Sequence, residues 1–547
     1  MKIGVDLDNT IICYDLAFSA AARKLQLIPP DSIVGKSDVR RLARSLPDGE
    51  RVWRALQGQV YGSLISKARL FSGVYRTFWR CRARGFSISI VSHKTKFGHL
   101  DNTGTLLREV AIKFLTDHGL CSKDPLIPIE MISFFDTRED KIAYIRDGQF
   151  DWLIDDLPEI IDSPLIPNET GKIGFCPDGS QKFDQGIPVA SWGEAESLIL
   201  GAWTQDELLK LVSTVSTYKP AGAQWVRGGA NSHVAKITYP ARSNVALKVY
   251  AQDDVHDRYF SEQRAFELLS ACGEERVPRA LGGDSRLGVG LVSWIDGTGV
   301  DSPSSGDMDQ VLEFLASLHR IRTNPGFQNF PKASAAVLSG LELQTQVEKR
   351  LFLLQSRAVE YPALFAFIQN QFIPLFEEIK AWTRQSWPSN DFASNIAADK
   401  LTLSPSDFGF HNCIRAENGR LIFLDFEYFG WDDPAKLCAD FLTHPGMTLT
   451  AGMKRKWVEG VTHIYGVEMR KRLEVAFGLV GLAWCLIILN PFRRDRSLAR
   501  RIFNSESGGD SPSLLGGRLV SAEKLTRRLK ASYDCFDSFL QQESESV

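Results

Sequence analysis

The chain has 547 residues, 44% hydrophobic and 24% charged; at roughly 150 residues per domain that is room for three or four structural units with apolar material to bury in each. Lys plus Arg (64) against Asp plus Glu (66) leave a net charge of -2, so there is no bulk basic field to select nucleic acid or an anionic membrane. Nine scattered cysteines with no Cys-x-x-Cys pair exclude a zinc finger and predict a reducing, cytoplasmic setting.

The first run, Lys2 to Leu7, is a predicted strand that ends in Asp6-Leu7-Asp8-Asn9-Thr10. It has too short an apolar stretch, and acids too early, to read as a signal peptide. Two carboxylates one residue apart at a strand end suit aspartyl-phosphate chemistry, with Asp6 attacking phosphorus and Asp8 as acid and base. Mostly helical patterns follow up to Phe86, with Trp53, Leu56 and Val60 at helical spacing. Three more runs then supply chemistry: Phe86 to Val91 ends at Ser92, Met131 to Phe135 leads into a helix carrying Lys141, and Trp152 to Ile154 leads to Asp155-Asp156. In an open α/β sheet ligands bind beyond the carboxyl ends of the strands, so these groups can converge. Ser92 can then hydrogen-bond a phosphoryl oxygen and Lys141 offset its charge, while Asp6, Asp8, Asp155 and Asp156 make a candidate Mg²⁺ set. His93 and Lys94, just past Ser92, could contact a substrate phosphate, though the preferred reading is ordinary polar loop residues.

These segments resemble the haloacid dehalogenase superfamily of phosphatases. The resemblance implies Asp6 as nucleophile, Asp8 as acid/base, Ser92 on the phosphate, Lys141 as the phosphate lysine and Asp155, with Asp156 beside it, on the metal. It also implies a Rossmann-like domain over residues 1–203 with a helical cap at about 15–85 that selects the substrate.

A helix from Thr204 to Val215 and the turn-rich Tyr218-Lys219-Pro220-Ala221-Gly222 form a linker at 204–222. Hairpins follow: Trp225 to Gly229, a turn with Ala230-Asn231-Ser232, Val234 to Thr238, then Asn244 to Tyr250 carrying Lys248. A small turn such as that at Asn231 and Ser232 lets backbone N–H groups approach phosphates, and a lysine on the third strand can pair with them. A buried lysine needs a partner; Glu262, on the helix Tyr259 to Leu269, is preferred to Glu267 on the same helix. Leu291 to Ile295, including Ser293, reads as a strand and hinge whose backbone meets adenine.

The remainder is helical except at Leu401 to Pro434. There Asp407 is followed five residues later by Asn412, and a short β run from Leu421 delivers Asp425. A loop Asp, a nearby Asn and a strand-end Asp are what a kinase uses to orient an attacking hydroxyl and hold Mg²⁺ on nucleotide phosphates. Tyr428, Phe429 and Trp431 can cage an ammonium group, though core packing is the preferred role. The apolar run Val475 to Leu489 is shorter than the roughly 20 residues a membrane helix needs, so it reads as a buried helix. The last forty or so residues, charged and ending SFLQQESESV, say little, and the terminal segment is expected to fray.

The Asp407, Asn412, Asp425, Phe426, Glu427, Gly430, Asp433, Pro434 pattern resembles the aminoglycoside phosphotransferase and choline kinase superfamily, departing from it at Pro405, where that family usually has a bracing His. The resemblance implies a protein-kinase-like bilobal domain over 223–547, with a small lobe to about 297, and ATP as donor. The expectation is therefore a Mg²⁺-dependent bifunctional enzyme, an ATP-dependent kinase of a small-molecule alcohol and a phosphomonoesterase. The alternatives are a metabolite sensor with one silent domain and a choline- or ethanolamine-type kinase.

Overall fold

The computed structural model describes residues 1–30, 32–98, 100, 104–122, 124–226, 232–253, 256–388, 391–493 and 512–542. By contact density the chain divides into two units. One holds Met1–Leu211 with Gln252–Val255 and Arg286–Gly288; the other holds Val212–Ala251, His256–Ser285 and Val289–Val547.

The first unit is built on a six-stranded sheet in the order Ile132–Phe135, Ser87–His93, Lys2–Val5, Trp152–Asp155, Gly171–Phe175, Ile187–Val189. Every pairing is parallel. Parallel strands are covered on both faces, which is why Ile3, Val5, Ile90, Val91, Leu153 and Ile154 are all buried and the runs read as continuous rather than alternating. The chain leaves the first strand in one direction and later returns to its other side, so the carboxyl end of Lys2–Val5 is a topological switch point. Between it and the next core strand lie helices Asp15–Lys24, Lys36–Arg44, Gly49–Tyr61 and Val74–Ala83. Trp53, Leu56 and Val60 form the buried face of the third. Arg80, on Val74–Ala83, is fully buried between Glu196 at 2.9 Å and Glu207 at 3.0 Å. A buried guanidinium is tolerable only when its donors are used this way.

The second unit is bilobal. Its smaller sheet is antiparallel, in the order Ala280–Asp284, Val289–Ser293, Val245–Val249, His233–Thr238, Gly222–Trp225. Lys248 thus sits on the central strand, with helix Arg258–Ala271 alongside. The larger lobe packs helices around Val467–Ile488, most of whose residues are buried. No described helix is long and apolar enough to cross a membrane. The expected helix from Pro362 is interrupted by a π turn at Ile368–Phe372 before Ile373–Ser386, an adjustment that re-registers the turns around Pro374. The terminal segment expected to fray ends in residues 543–547, which lie outside the described residues, but the stretch before it is ordered. Pro512–Lys530 and Phe536–Gln541 are helices, and Ala522, Leu525, Leu529, Phe536 and Phe539 are buried. Ala522, Leu525 and Leu529 share one face of the first of these helices and Phe536 and Phe539 one face of the second, a spacing that the charged residues between them had masked.

Asp432, on the strand Gly430–Asp432 that pairs with Thr402–Ser404, is fully buried, with Lys436 at 3.3 Å. Burial pushes its carboxyl up to about 7 against the pull of Lys436. A carboxyl raised on folding favours the folded state below its unfolded pKa and loses that advantage as pH rises through the folded value. The second unit is therefore expected to lose stability, on the order of a few kcal/mol, between about pH 4 and about pH 7. In Asp432→Asn that slope should vanish, as urea midpoints across the range would show; parallel profiles for the two proteins would refute it.

Candidate functional sites

In the first unit, Asp6 leaves the first strand with its N–H bonded to the Ile154 carbonyl at 2.9 Å. Lys141, fully buried, donates to Asp6 Oδ1 and to Asp155 Oδ2, both at 2.6 Å. Asp155 Oδ1 accepts from the Leu157 N–H at 2.9 Å. Burial holds the Asp6 carboxyl well above its ordinary range although Lys141 opposes it, and burial likewise pushes Asp156 up to about 7. Carboxylate oxygens of Asp6, Asp155 and Asp156 fall within 4.8 Å of one another, the hard-oxygen donor set that Mg²⁺ takes.

The hydroxyls of Thr10 and Ser92 are buried beside these strand ends without a hydrogen-bond partner among the described residues. Such groups are costly unless a ligand or water completes them. A cavity of about 290 Å³ opens here, with Asp6, Asp8, Lys94, Lys141 and Asp156 in its wall and Lys36 facing them from the inserted helices.

Lys94 corrects the sequence reading. It is buried, not a solvated loop residue, and donates to both oxygens of Asp8 at 2.8 Å. Asp8 Oδ1 also accepts from the Tyr14 hydroxyl at 2.7 Å. Asp8 thus faces two donors rather than a bare metal position. The partners are 86 residues apart in sequence, so no local pattern announced the pair.

In the second unit, Lys248 meets Glu262 at 3.0 Å, Asp425 at 2.5 Å and Glu427 at 3.5 Å. Burial works against its charge, but the three carboxylates outweigh it and hold the pKa well above the ordinary lysine value. Glu262 is the partner, as preferred; Glu267 pairs instead with Arg264 at an exposed position. Glu262 is held in turn by the Tyr250 hydroxyl at 2.5 Å and the Phe426 N–H at 2.8 Å. Ser232 donates to Glu427, so its hydroxyl is directed at the carboxylate cluster. Asn231 lies outside the described residues. Ser293 ends its strand with its hydroxyl accepting from the Arg279 N–H at 2.9 Å, and Ile295 follows, half-buried.

Asp407 and Asn412 are joined by the Asn412 side-chain amide donating to the Asp407 carbonyl at 2.9 Å. The Leu424 N–H bonds to the Asn412 carbonyl at 2.8 Å, which brings Asp425 alongside. Asp407 Oδ1 is met by His411 Nε2 at 2.9 Å and His444 Nε2 at 3.3 Å. Burial would raise this carboxyl, yet the two imidazole contacts outweigh it and hold the pKa far below the carboxylate range. Neither histidine was singled out in the sequence. Asp407 borders a cavity of about 280 Å³ whose wall includes Arg258, Tyr428, Lys436, Asp440 and Trp484. Phe429 is fully buried and Trp431 packs on the core, so the three aromatics after Asp425 do not form a cage. Backbone strain marks the carboxylate loops of both units: Asn9, beside Asp8, has φ 63°, Ser406, beside Asp407, has φ 70°, and Asp425 itself has φ 65°, all left-handed for non-glycine residues.

Residues 223–472 match the family model described as "Phosphotransferase enzyme family". This segment is a phosphotransferase-family domain. No curated protein matches the chain in sequence. Among solved structures, a spectinomycin phosphotransferase in complex with ADP and spectinomycin is similar at 11% identity and TM-score 0.41, over 59% of this chain and 99% of that one. An ethanolamine kinase from Plasmodium vivax is similar at 13% identity and TM-score 0.39, over 58% and 84% respectively. A choline kinase from Streptococcus pneumoniae gives 14% identity and TM-score 0.38, over 58% and 97%. The phosphotransferase domain carries Lys248, Glu262, Asp407, Asn412 and Asp425; Asp6, Lys141 and Asp155 stand outside the matched residues.

Proposed function

We propose that the phosphotransferase domain moves the γ-phosphoryl group of ATP to a hydroxyl of a small molecule. The observation that carries this reading is the placement of Asp407: a carboxylate with Oδ2 lacking any hydrogen-bond partner among the described residues, at the wall of a ligand-sized cavity. Asn412 and Asp425 would hold Mg²⁺ on the phosphates, and Lys248, kept in place by Glu262, would pair with phosphate oxygens. Mg²⁺ supplies charge neutralisation on the transferring group. Asp407 orients the hydroxyl and takes its proton as the oxygen–phosphorus bond forms and ADP leaves. The cavity wall carries both signs, with Lys436 paired to Asp432 and Asp440 and Arg258 to Glu427, which leaves a sugar, a polyol or an amino alcohol as the acceptor class.

For the first unit we propose phosphomonoester hydrolysis. Asp6 would attack phosphorus to give an aspartyl phosphate and release the alcohol, and water would then displace phosphate. The buried, unpartnered Thr10 and Ser92 hydroxyls, with Lys141 between Asp6 and Asp155, support this assignment. Kinase and phosphatase in one chain are productive when they act on different positions of one molecule, one hydroxyl being phosphorylated and another freed, as in preparing a precursor for a surface glycan.

The test is a panel of sugars, polyols, amino alcohols and their phosphates, read by ADP formation and phosphate release. Phosphate release should disappear in Asp6→Asn while ATP-dependent transfer persists. Release of phosphate only from the newly made ester would defeat the relocation scheme. Tight MgATP binding with no turnover across the panel would favour a sensor.

A further inference from the structure

The contacts of Asp407 single out one of its two oxygens. His411 and His444 both reach Oδ1 through Nε2, and their rings are stacked, with centroids 4.0 Å apart and an interplanar angle of 5°. His444 comes from a different element. It caps the carboxyl end of helix Pro434–Thr443, its N–H bonded to the Asp440 carbonyl at 2.8 Å, and its ring meets the edge of Trp484 at 4.3 Å. Trp484 is itself fixed by its indole N–H on Asp440 at 2.9 Å.

The tautomer follows from the far side of the ring. The Gly446 N–H donates to His444 Nδ1 at 3.0 Å, so Nδ1 carries a lone pair and the proton of the neutral ring is on Nε2. Burial also favours the neutral imidazole. His444 is thereby a donor to Asp407 with no lone pair to offer at Nε2. The same logic sets aside a cation held by Asp407, His411 and His444, although their ligand atoms are close enough for one, because metal ligation at Nε2 would require that proton to go. Neither Pro405 nor Ser406 donates to the carboxylate, so the bracing of Asp407 comes from the two imidazoles.

We propose that His444, together with His411, is a positioning residue that clamps Asp407 by Oδ1 and presents Oδ2 to the acceptor hydroxyl. The inference rests on the phosphotransferase reading of this domain. An unclamped carboxylate can rotate its accepting oxygen off the hydroxyl, and displacement of a reacting group by about 1 Å costs up to roughly 10²-fold in rate. Binding of nucleotide, which engages Lys248 and Asp425, is untouched.

Variants at His444, a spectrum read with and without Asp407→Asn, and calorimetry test this on the full chain. With MgATP and the acceptor identified by the panel, or water as the acceptor, His444→Leu should lower kcat by about 10- to 100-fold and leave KM for ATP within about twofold. His444→Gln, whose amide N–H can take the place of Nε2–H, should recover most of the loss, which a purely packing role would not predict. Independently of turnover, long-range ¹⁵N–¹H spectra of histidine-labelled protein should show His444 as the neutral Nε2–H tautomer, with its signal displaced in Asp407→Asn. Wild-type kcat in His444→Leu, or an Nδ1–H tautomer, overturns the clamp while leaving phosphoryl transfer standing. Failure of the wild type to bind MgATP in calorimetry overturns both.

Discussion

Asp407→Asn is expected to lower ATP-dependent phosphoryl transfer by roughly 10²- to 10⁴-fold, the usual worth of a positioned general base, while leaving MgATP affinity unchanged. The substitution keeps an oxygen for His411 and His444 to hold but replaces the other with an amide N–H. The group facing the acceptor would then donate where it must accept. The chain from Lys248 to Glu262 and Asp425 does not pass through the side chain of Asp407, so nucleotide binding by calorimetry is the internal control. Because the imidazole contacts hold Asp407 far below the carboxylate range, it is ionised at any pH from mildly acidic upward. The acidic limb of the wild-type rate profile should therefore not follow this group. A carboxylate so stabilised is a weak base, which suits a loose transition state in which the hydroxyl is oriented first and deprotonated late. A loss smaller than about tenfold would mean that another group is the base.

The second large effect is on stability, and it does not depend on any activity of the first unit. Lys141→Met should destabilise that unit by about 3–5 kcal/mol near neutral pH, the cost of removing one partner from a buried charge cluster. Among the described residues Lys141 is the one side chain donating to both Asp6 and Asp155, and all three are at most 7% exposed at the side chain. Methionine fills the volume and supplies no charge. In the wild type the raised pKa of Lys141 means that its contribution is complete below the ordinary lysine value and is lost only at strongly alkaline pH. In the variant the burial that raises the Asp6 carboxyl is no longer opposed. Its stability should therefore fall as pH rises from the unfolded carboxyl value and recover in acid, where a neutral carboxyl is cheaper to bury. Mg²⁺ should restore more stability to the variant than it adds to the wild type. Urea unfolding at two pH values, with and without MgCl₂, reads all of this. A difference below about 1 kcal/mol at neutral pH would show the cluster to be wetter than its geometry implies.

What the chain disclosed in advance divides by distance along it. Strand ends bearing carboxylates were readable because a run of β-branched residues stops abruptly at an acid or a hydroxyl, as at Asp6, Ser92 and Asp155. The Asp407 to Asn412 spacing and the hairpin to Asp425 are local for the same reason, and a short loop can hold them. Glu262 was preferable to Glu267 because one helix turn decides which faces the sheet. Lys94 was read as a loop lysine because what distinguishes a buried ion pair from a solvated lysine is a partner just past the first strand, Asp8. His444 escaped because it is 37 residues beyond Asp407 and reaches it only after a helix has packed. A signal did exist: Pro405 removes a side chain from the loop, so something else has to hold Asp407. The terminal helices were hidden by charged residues that occupy their outer face.

The left-handed residues at the carboxylate loops carry a lesson for how these sites are dissected. Alanine at Asn9 or Asp425 would give up the short polar side chain that lets Asn and Asp occupy the left-handed region more readily than other L residues, so a routine scan would confuse lost chemistry with a sprung loop. Glycine at Asn9 and Ser406 and asparagine at Asp425 keep the local path open, and only such replacements would report on what the side chains themselves contribute.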